Sequence, residues 1–266
     1  PEKTVLYEFG LQQQLGQITA IEMSAFYKDI RDLLAVQSVR YESQKYGPSN
    51  YAIYMNKDYG NVKGYTFSLT KRYDPISKTS AFVDYTYQVT EGNSVNSGSF
   101  YYNALSGEQE EKRIVPLAWD QRHIFNTNFS VGDPRNWNLG IISKLSSGWP
   151  YTPNIPDANY VPQPNSGRKP WQWRVDMRIH KNFKIRNLNY IFYMKVYNLL
   201  DRRNERYVFD DTGRAGYTYV FQSTQETQGF KNHYGEPGVH EWSEYQVRPN
   251  YYTAPRSINM GFSVDF

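Results

Sequence analysis

Ser257-Ile258-Asn259-Met260-Gly261-Phe262-Ser263-Val264-Asp265-Phe266 alternates without a break. Ile258, Met260, Phe262, Val264 and Phe266 share one side. Ser257, Asn259, Gly261, Ser263 and Asp265 share the other. Successive side chains of a strand point to opposite faces, so this segment predicts a strand with one apolar and one polar face. Residues 171–180 repeat the pattern, with Trp171, Trp173, Val175, Met177 and Ile179 against Gln172, Arg174, Asp176, Arg178 and His180. Working outward, weaker copies run through 5–12, 21–28, 65–70, 81–89, 124–131, 137–142 and 190–197. No segment carries a convincing 3.6-residue period. The expected fold is all-β and antiparallel, with about nine strands.

The composition narrows the class. The chain has 266 residues, of which 25 are Tyr, 14 Phe and 6 Trp, enough apolar material to exclude a disordered chain. No run approaches the length of a transmembrane helix. The absence of cysteine removes disulfides, thiolate catalysis and Cys-based zinc sites. A net charge of +4 is modest and makes no basic patch, which argues against a nucleic-acid partner without excluding one.

The connections alternate in length. Short turns are expected at Gly16-Gln17, Asp74-Pro75-Ile76-Ser77, Asp133-Pro134-Arg135-Asn136 and Arg186-Asn187-Leu188. The two Asp-Pro pairs suit type I turns. Long connections, rich in Gly, Asn, Ser, Pro and Tyr, are expected over 30–57, 91–121, 149–170 and 210–255. A soluble sandwich has no reason to gather every long loop at one end. An outer-membrane barrel does, with short periplasmic turns, long outer loops, a lipid-facing apolar band and a polar lumen. Tyr7, Tyr27, Tyr73, Trp137, Trp171 and Tyr190 then belong to the aromatic girdles. Nine antiparallel strands cannot close on themselves, because the first and last would run the same way. With no signal peptide and a strand starting near residue 3, strands missing before Pro1 are expected.

Several motifs resemble one family in its own order. The terminal strand follows Ala254-Pro255-Arg256. Val196-Tyr197-Asn198-Leu199-Leu200-Asp201-Arg202-Arg203 looks like a penultimate-strand "N-L-F-D" signature. Asp58-Tyr59-Gly60-Asn61-Val62-Lys63-Gly64, followed by Leu69-Thr70-Lys71-Arg72, is similar to a G-x-x-K-G strand. Together they resemble TonB-dependent outer-membrane receptors. Trp119-Asp120-Gln121-Arg122-His123 and Ser147-Gly148-Trp149-Pro150-Tyr151-Thr152-Pro153 resemble the Oar-like subgroup, which carries an N-terminal carboxypeptidase-regulatory-like domain. The resemblance implies a bacterial Gram-negative outer membrane and a barrel of about 22 strands around a plug. Residues 1–266 would be its C-terminal part, without plug, TonB box or early strands. It also implies contact with outer-membrane lipid, with the chain's own plug domain, with a TonB-type energy-coupling protein and with the barrel-assembly machinery, for which Phe266 would be the signal. No cofactor is expected.

Candidate functional residues fall in two groups. Glu8, Glu22, Asp84, Arg174, Asp176, Arg178, His180 and Asp265 are expected to face the lumen or the plug. They would either guide a polar or anionic solute or pair with one another and with the plug. Tyr101, Tyr102, Trp149, Tyr151, Tyr217 and Trp242, among other loop aromatics, could stack on a ligand or pack on one another. A metal at His233, His240, Glu241 and Glu244 is not expected, and Asp210-Asp211-Thr212-Gly213 reads as a turn rather than a calcium loop. The four His are scattered and no G-x-S-x-G is present, so no catalytic residue is expected. Active uptake or export of a large solute leads. A barrel anchoring a surface lipoprotein or complex, and a passive pore, are the alternatives.

Overall fold

The computed structural model describes residues 1–45, 47–93, 113–154, 162–186, 188–219 and 248–265. In chain order the strands are β1 (Lys3–Leu15), β2 (Thr19–Ser43), β3 (Gly47–Asp74), β4 (Thr79–Gly92), β5 (Val115–Pro116), β6 (His123–Asp133), β7 (Trp137–Ser146), β8 (Pro150–Tyr151), β9 (Gly167–Arg168), β10 (Gln172–Ile185), β11 (Leu188–Tyr197) and β12 (Ser257–Asp265). The nine long strands form one antiparallel meander, β1-β2-β3-β4-β6-β7-β10-β11-β12. β5 pairs off this path with β4, and β8 pairs with β9.

Cross-strand register turns nine separate alternations into two continuous faces. Leu11 lies opposite Met23, Met23 opposite Phe67, Phe67 opposite Tyr85, Tyr85 opposite Phe125, Phe125 opposite Leu145, and Leu145 opposite Trp173. Ala81, Phe129, Ile141, Met177, Val196 and Ile258 make a second such row. One residue along, the row Gln12, Glu22, Ser68, Asp84, Asn126, Lys144 and Arg174 is polar throughout. A slip of one residue at any strand would put its apolar side on the wrong face, so the register is fixed by burial.

The apolar face is not covered. Met23 keeps 54 %, Ile258 51 % and Phe262 57 % of its surface exposed, and no second sheet stacks on it among the described residues. In a soluble sandwich these side chains would form the core. Here they need another apolar phase, and the aromatics mark its borders. Near the long connections, Tyr65 and Tyr87 stack at 5.3 Å, His123 lies 5.1 Å from Tyr87, and Trp171 lies 5.5 Å from His123. Near the short turns, Phe183, Tyr190 and Phe262 form a ring cluster at 5.4 to 6.3 Å. Tyr73 donates to the Gly132 carbonyl there, at 3.2 Å. Tyr65 and Tyr73 are about 26 Å apart along β3, which at a barrel strand's tilt covers about 20 Å of a lipid-facing band about 25 Å tall.

The Asp-Pro turns form as their chemistry dictates. Asp74 accepts the Ile76 amide at 3.0 Å and the Ser77 amide at 3.2 Å, and Asp133 accepts the Arg135 amide at 3.0 Å. One expectation fails. Residues 30–57 are not a loop: β2 and β3 stay paired out to Ser43 opposite Gly47. Asp32 takes φ 60, and the register shifts between Ile30 and Leu33 and again between Leu33 and Leu34. These irregularities scramble the alternation over Ile30 to Val36, which hides the strand from a period-2 reading. Beyond the bulge the hairpin projects about 35 Å past the end of β1. Tyr41 and Tyr51 meet edge-on across it at 5.6 Å.

Candidate functional site

The strand alternation delivers Glu8, Glu22, Asp84, Arg174, Asp176, Arg178 and His180 to the polar face. Asp84 accepts Ser68 Oγ at 3.0 Å and Asn126 Nδ2 at 3.2 Å. Arg174 finds its carboxylate on its own strand rather than on β1, β2 or β4: its Nε donates to Asp176 Oδ1 at 2.9 Å. The same oxygen accepts the Asn198 amide at 2.9 Å. His180 Nε2 lies 3.3 Å from the Pro134 carbonyl. The β12 register puts Asp265 opposite Asn189 on this face; its side chain, and Phe266, lie outside the described residues. So do Tyr101, Tyr102, Trp242, His233, His240, Glu241 and Glu244.

Bases gather on one part of this face. Lys144, Arg174, Arg178, Lys184 and Lys195 sit on β7, β10 and β11 with Asp176 among them. The acids Glu8, Glu22 and Asp84 sit on β1, β2 and β4, interleaved with Lys28 on β2 and Arg72 on β3. Lys144 joins the candidates only through register, because Ser143 takes an apolar position and ends the sequence alternation at Ile142. Lys195 sits on the inner side of 190–197, with Ile191 and Tyr193.

At the loop end, the loop aromatics divide. Trp149, 40 % exposed, lines a cavity of about 430 Å³ with Lys144, Arg174 and Tyr197. Tyr151 is packed under the turn at Gly213, where a Cβ would come within 2.3 Å of its hydroxyl. Burial, reinforced by Asp210 and Asp211, pushes the Tyr151 hydroxyl above its ordinary pKa. Tyr217 meets Tyr219 edge-on at 5.6 Å. Asp211 accepts Thr218 Oγ at 2.9 Å, and no cluster of three metal-ligating side chains exists among the described residues.

The motifs act as staples at the loop bases. Asp120, fully buried, accepts the Thr90 amide at 2.8 Å and Arg122 Nε at 3.1 Å, and it pairs with Arg168. Gln121 donates to the Ser147 carbonyl at 2.9 Å, and the His123 amide donates to Ser147 Oγ at 3.0 Å. Only glycine fits at 148, since a Cβ would stand 1.8 Å from the Lys169 carbonyl that crosses it. Asn204 accepts the Trp173 amide and donates to the Trp173 carbonyl, both at 2.9 Å, imitating a neighbouring strand at the end of β10. Asn198 bonds Arg202 and Ala254, and Asp201 accepts the Arg256 amide at 2.8 Å, tying the end of β11 to the start of β12. Glu205 receives Arg214 at 2.8 Å and the Ala215 amide at 2.5 Å.

Residues 1–199 match the family described as TonB dependent receptor-like, beta-barrel. The chain belongs to that family. It is therefore a wall of a bacterial outer-membrane barrel, and the family is not one of enzymes. No curated relative matches the sequence. Among solved structures, this TonB-dependent receptor-like wall is similar to the outer membrane transporter YddB from Escherichia coli, with TM-score 0.57 and 14 % identity over 77 % of this chain and 29 % of that one. It is also similar to the closed form of the ferric-catecholate import receptor Fiu from K12 E. coli, with TM-score 0.50 and 17 % identity over 80 % of this chain and 26 % of that one. At such identities the likeness is one of fold. The chain spans little more than a quarter of the length of these neighbours.

Proposed function

We propose that this chain is the C-terminal wall of a plugged outer-membrane receptor that moves a large solute through its lumen, driven by a TonB-type energy-coupling protein. One observation carries the proposal. A single nine-stranded sheet has an apolar face bordered by aromatic rings and a polar face rich in charge. The apolar face fits lipid, and Glu8, Glu22, Asp84, Arg174, Asp176, Arg178 and His180 then face the lumen and its plug. Bacterial single-chain barrels use an even number of strands, so in this reading further strands and the plug complete the barrel. The Oar-like assignment, with its carboxypeptidase-regulatory-like domain, rests on the resemblance at 119–123 and 147–153. Uptake and export are equally compatible with these residues.

The test is the conductance of the purified full-length protein in a planar bilayer. A plugged receptor stays closed at rest. A steady open-barrel conductance would identify a passive pore instead. A second reading, a barrel that anchors a surface complex, has the projecting β2–β3 hairpin in its favour. Leu34, Tyr41, Tyr51 and Tyr54 stand exposed there, at 45 to 58 %. If that reading holds, deleting 35–55 releases a surface partner while the barrel still assembles.

A further inference from the structure

The polar face carries an arrangement that a bare wall would avoid. Lys144 lies directly opposite Arg174, and Arg178 lies directly opposite Lys195. Like charges placed directly across a strand pair are destabilising. Only Asp176 offsets them locally, and it engages Arg174 through Nε, leaving the outer edge of the guanidinium unused by any hydrogen bond among the described residues. Lys144 is exposed and makes no hydrogen bond or ion pair among the described residues.

The upper pair opens on the cavity of about 430 Å³, large enough for a small organic ligand. Arg174 is held in place from two sides: Asp176 fixes Nε, and the Tyr197 ring lies 5.8 Å from the guanidinium carbon. A preset guanidinium edge beside a free ammonium suits a carboxylate. The exposed Trp149 indole on the same cavity offers a flat apolar surface for the face of a ring.

We propose that this cavity binds a sugar acid or another ring-bearing carboxylate, with Lys144 and Arg174 on the anion and Trp149 on the ring. Arg178 and Lys195 form a second anion contact farther along β10 and β11. The proposal rests on the polar face being the lumen, and it gives that lumen a preferred solute chemistry. It also explains the repelling pairs, since the anion neutralises them when it arrives. An acidic protein surface covering the strip is the competing occupant.

The probe is D-glucuronate, titrated calorimetrically into the full-length protein in detergent, with D-glucose and inorganic phosphate as controls. Glucuronate should bind at least tenfold more tightly than glucose or phosphate. Lys144→Gln should weaken it at least fivefold while leaving Tm unchanged or higher, because a repulsion is removed. Arg174→Lys, which keeps the charge but loses the fork, should weaken it about threefold. Equal binding of glucuronate and glucose would overturn the proposal, as would phosphate binding as tightly as glucuronate. So would a lower Tm in Lys144→Gln with affinity unchanged, the signature of an acidic protein surface over the strip. Failure here is separable from failure of the receptor reading. A closed barrel that ignores glucuronate loses only the anion site, whereas an open pore that binds it loses only the plugged-receptor reading.

Discussion

The strand wall repeats one chemistry from Leu11 across to Trp173, row upon row. The loop end does the reverse. Its staples are individual: a buried carboxylate between two arginines at Asp120, a side-chain amide posing as a strand at Asn204, a backbone crossing at Gly148. The wall draws its stability from the phase it meets and the staples from geometry. Substitutions should therefore be graded by face in the wall and by partner at the loop end.

The sharpest break is Asp120→Ala. It strands Arg122 and Arg168 and leaves the Thr90 amide without its acceptor. A loss of about 3 to 4 kcal/mol is expected, at the low end for a buried pair because solvent reaches about a third of each arginine side chain. Urea unfolding in lipid vesicles, followed by tryptophan fluorescence, measures it; an unchanged midpoint would make the staple ornamental.

The wall can be tested with two neighbours on one strand. Ile141 lies on the apolar face opposite Phe129 and Met177, and Ile142 on the polar face opposite Asp176. Ile141→Lys should cost about 2 to 3 kcal/mol near the middle of the lipid band, while Ile142→Lys should cost less than about 1 kcal/mol. The same unfolding assay compares them. Equal losses would mean that the two faces meet the same medium.

The smallest effect belongs to the short-turn end. The Ser77 side chain, followed by the Ile76 amide, holds the Asp74 carboxyl below the usual carboxylate range, at the turn beyond Tyr73. A depressed folded pKa stabilises the turn above the unfolded carboxylate range, and that contribution is lost as pH falls through the folded value. Amide exchange at Ile76 and Ser77 should accelerate between about pH 5 and pH 2, beyond the change in intrinsic rate, while amides near Asp120 hold. Matching acceleration at both places would abolish the distinction.

Much of the wall was legible because a strand's period is local: residues 171–180 and 257–266 declare their faces without any partner. The hairpin past Asp32 was not, since a positive-φ bulge reverses the alternation while pairing continues. Of the candidate site, Arg174 and Asp176 could be placed on one face, but not paired. The staples were visible only as motifs. Arg168 and Asp120 are 48 residues apart, and Asn204 and Trp173 are 31 apart, distances over which no pattern in the chain specifies a partner.

What the sequence determined by itself was each strand's two-facedness and the tight Asp-Pro turns, because both follow from neighbouring residues. Tertiary structure alone decided which strand lies beside which and in what register. That choice set Lys144 against Arg174 and Arg178 against Lys195 on one polar face, because hydrogen bonding between strands brings together charges that the chain itself keeps far apart.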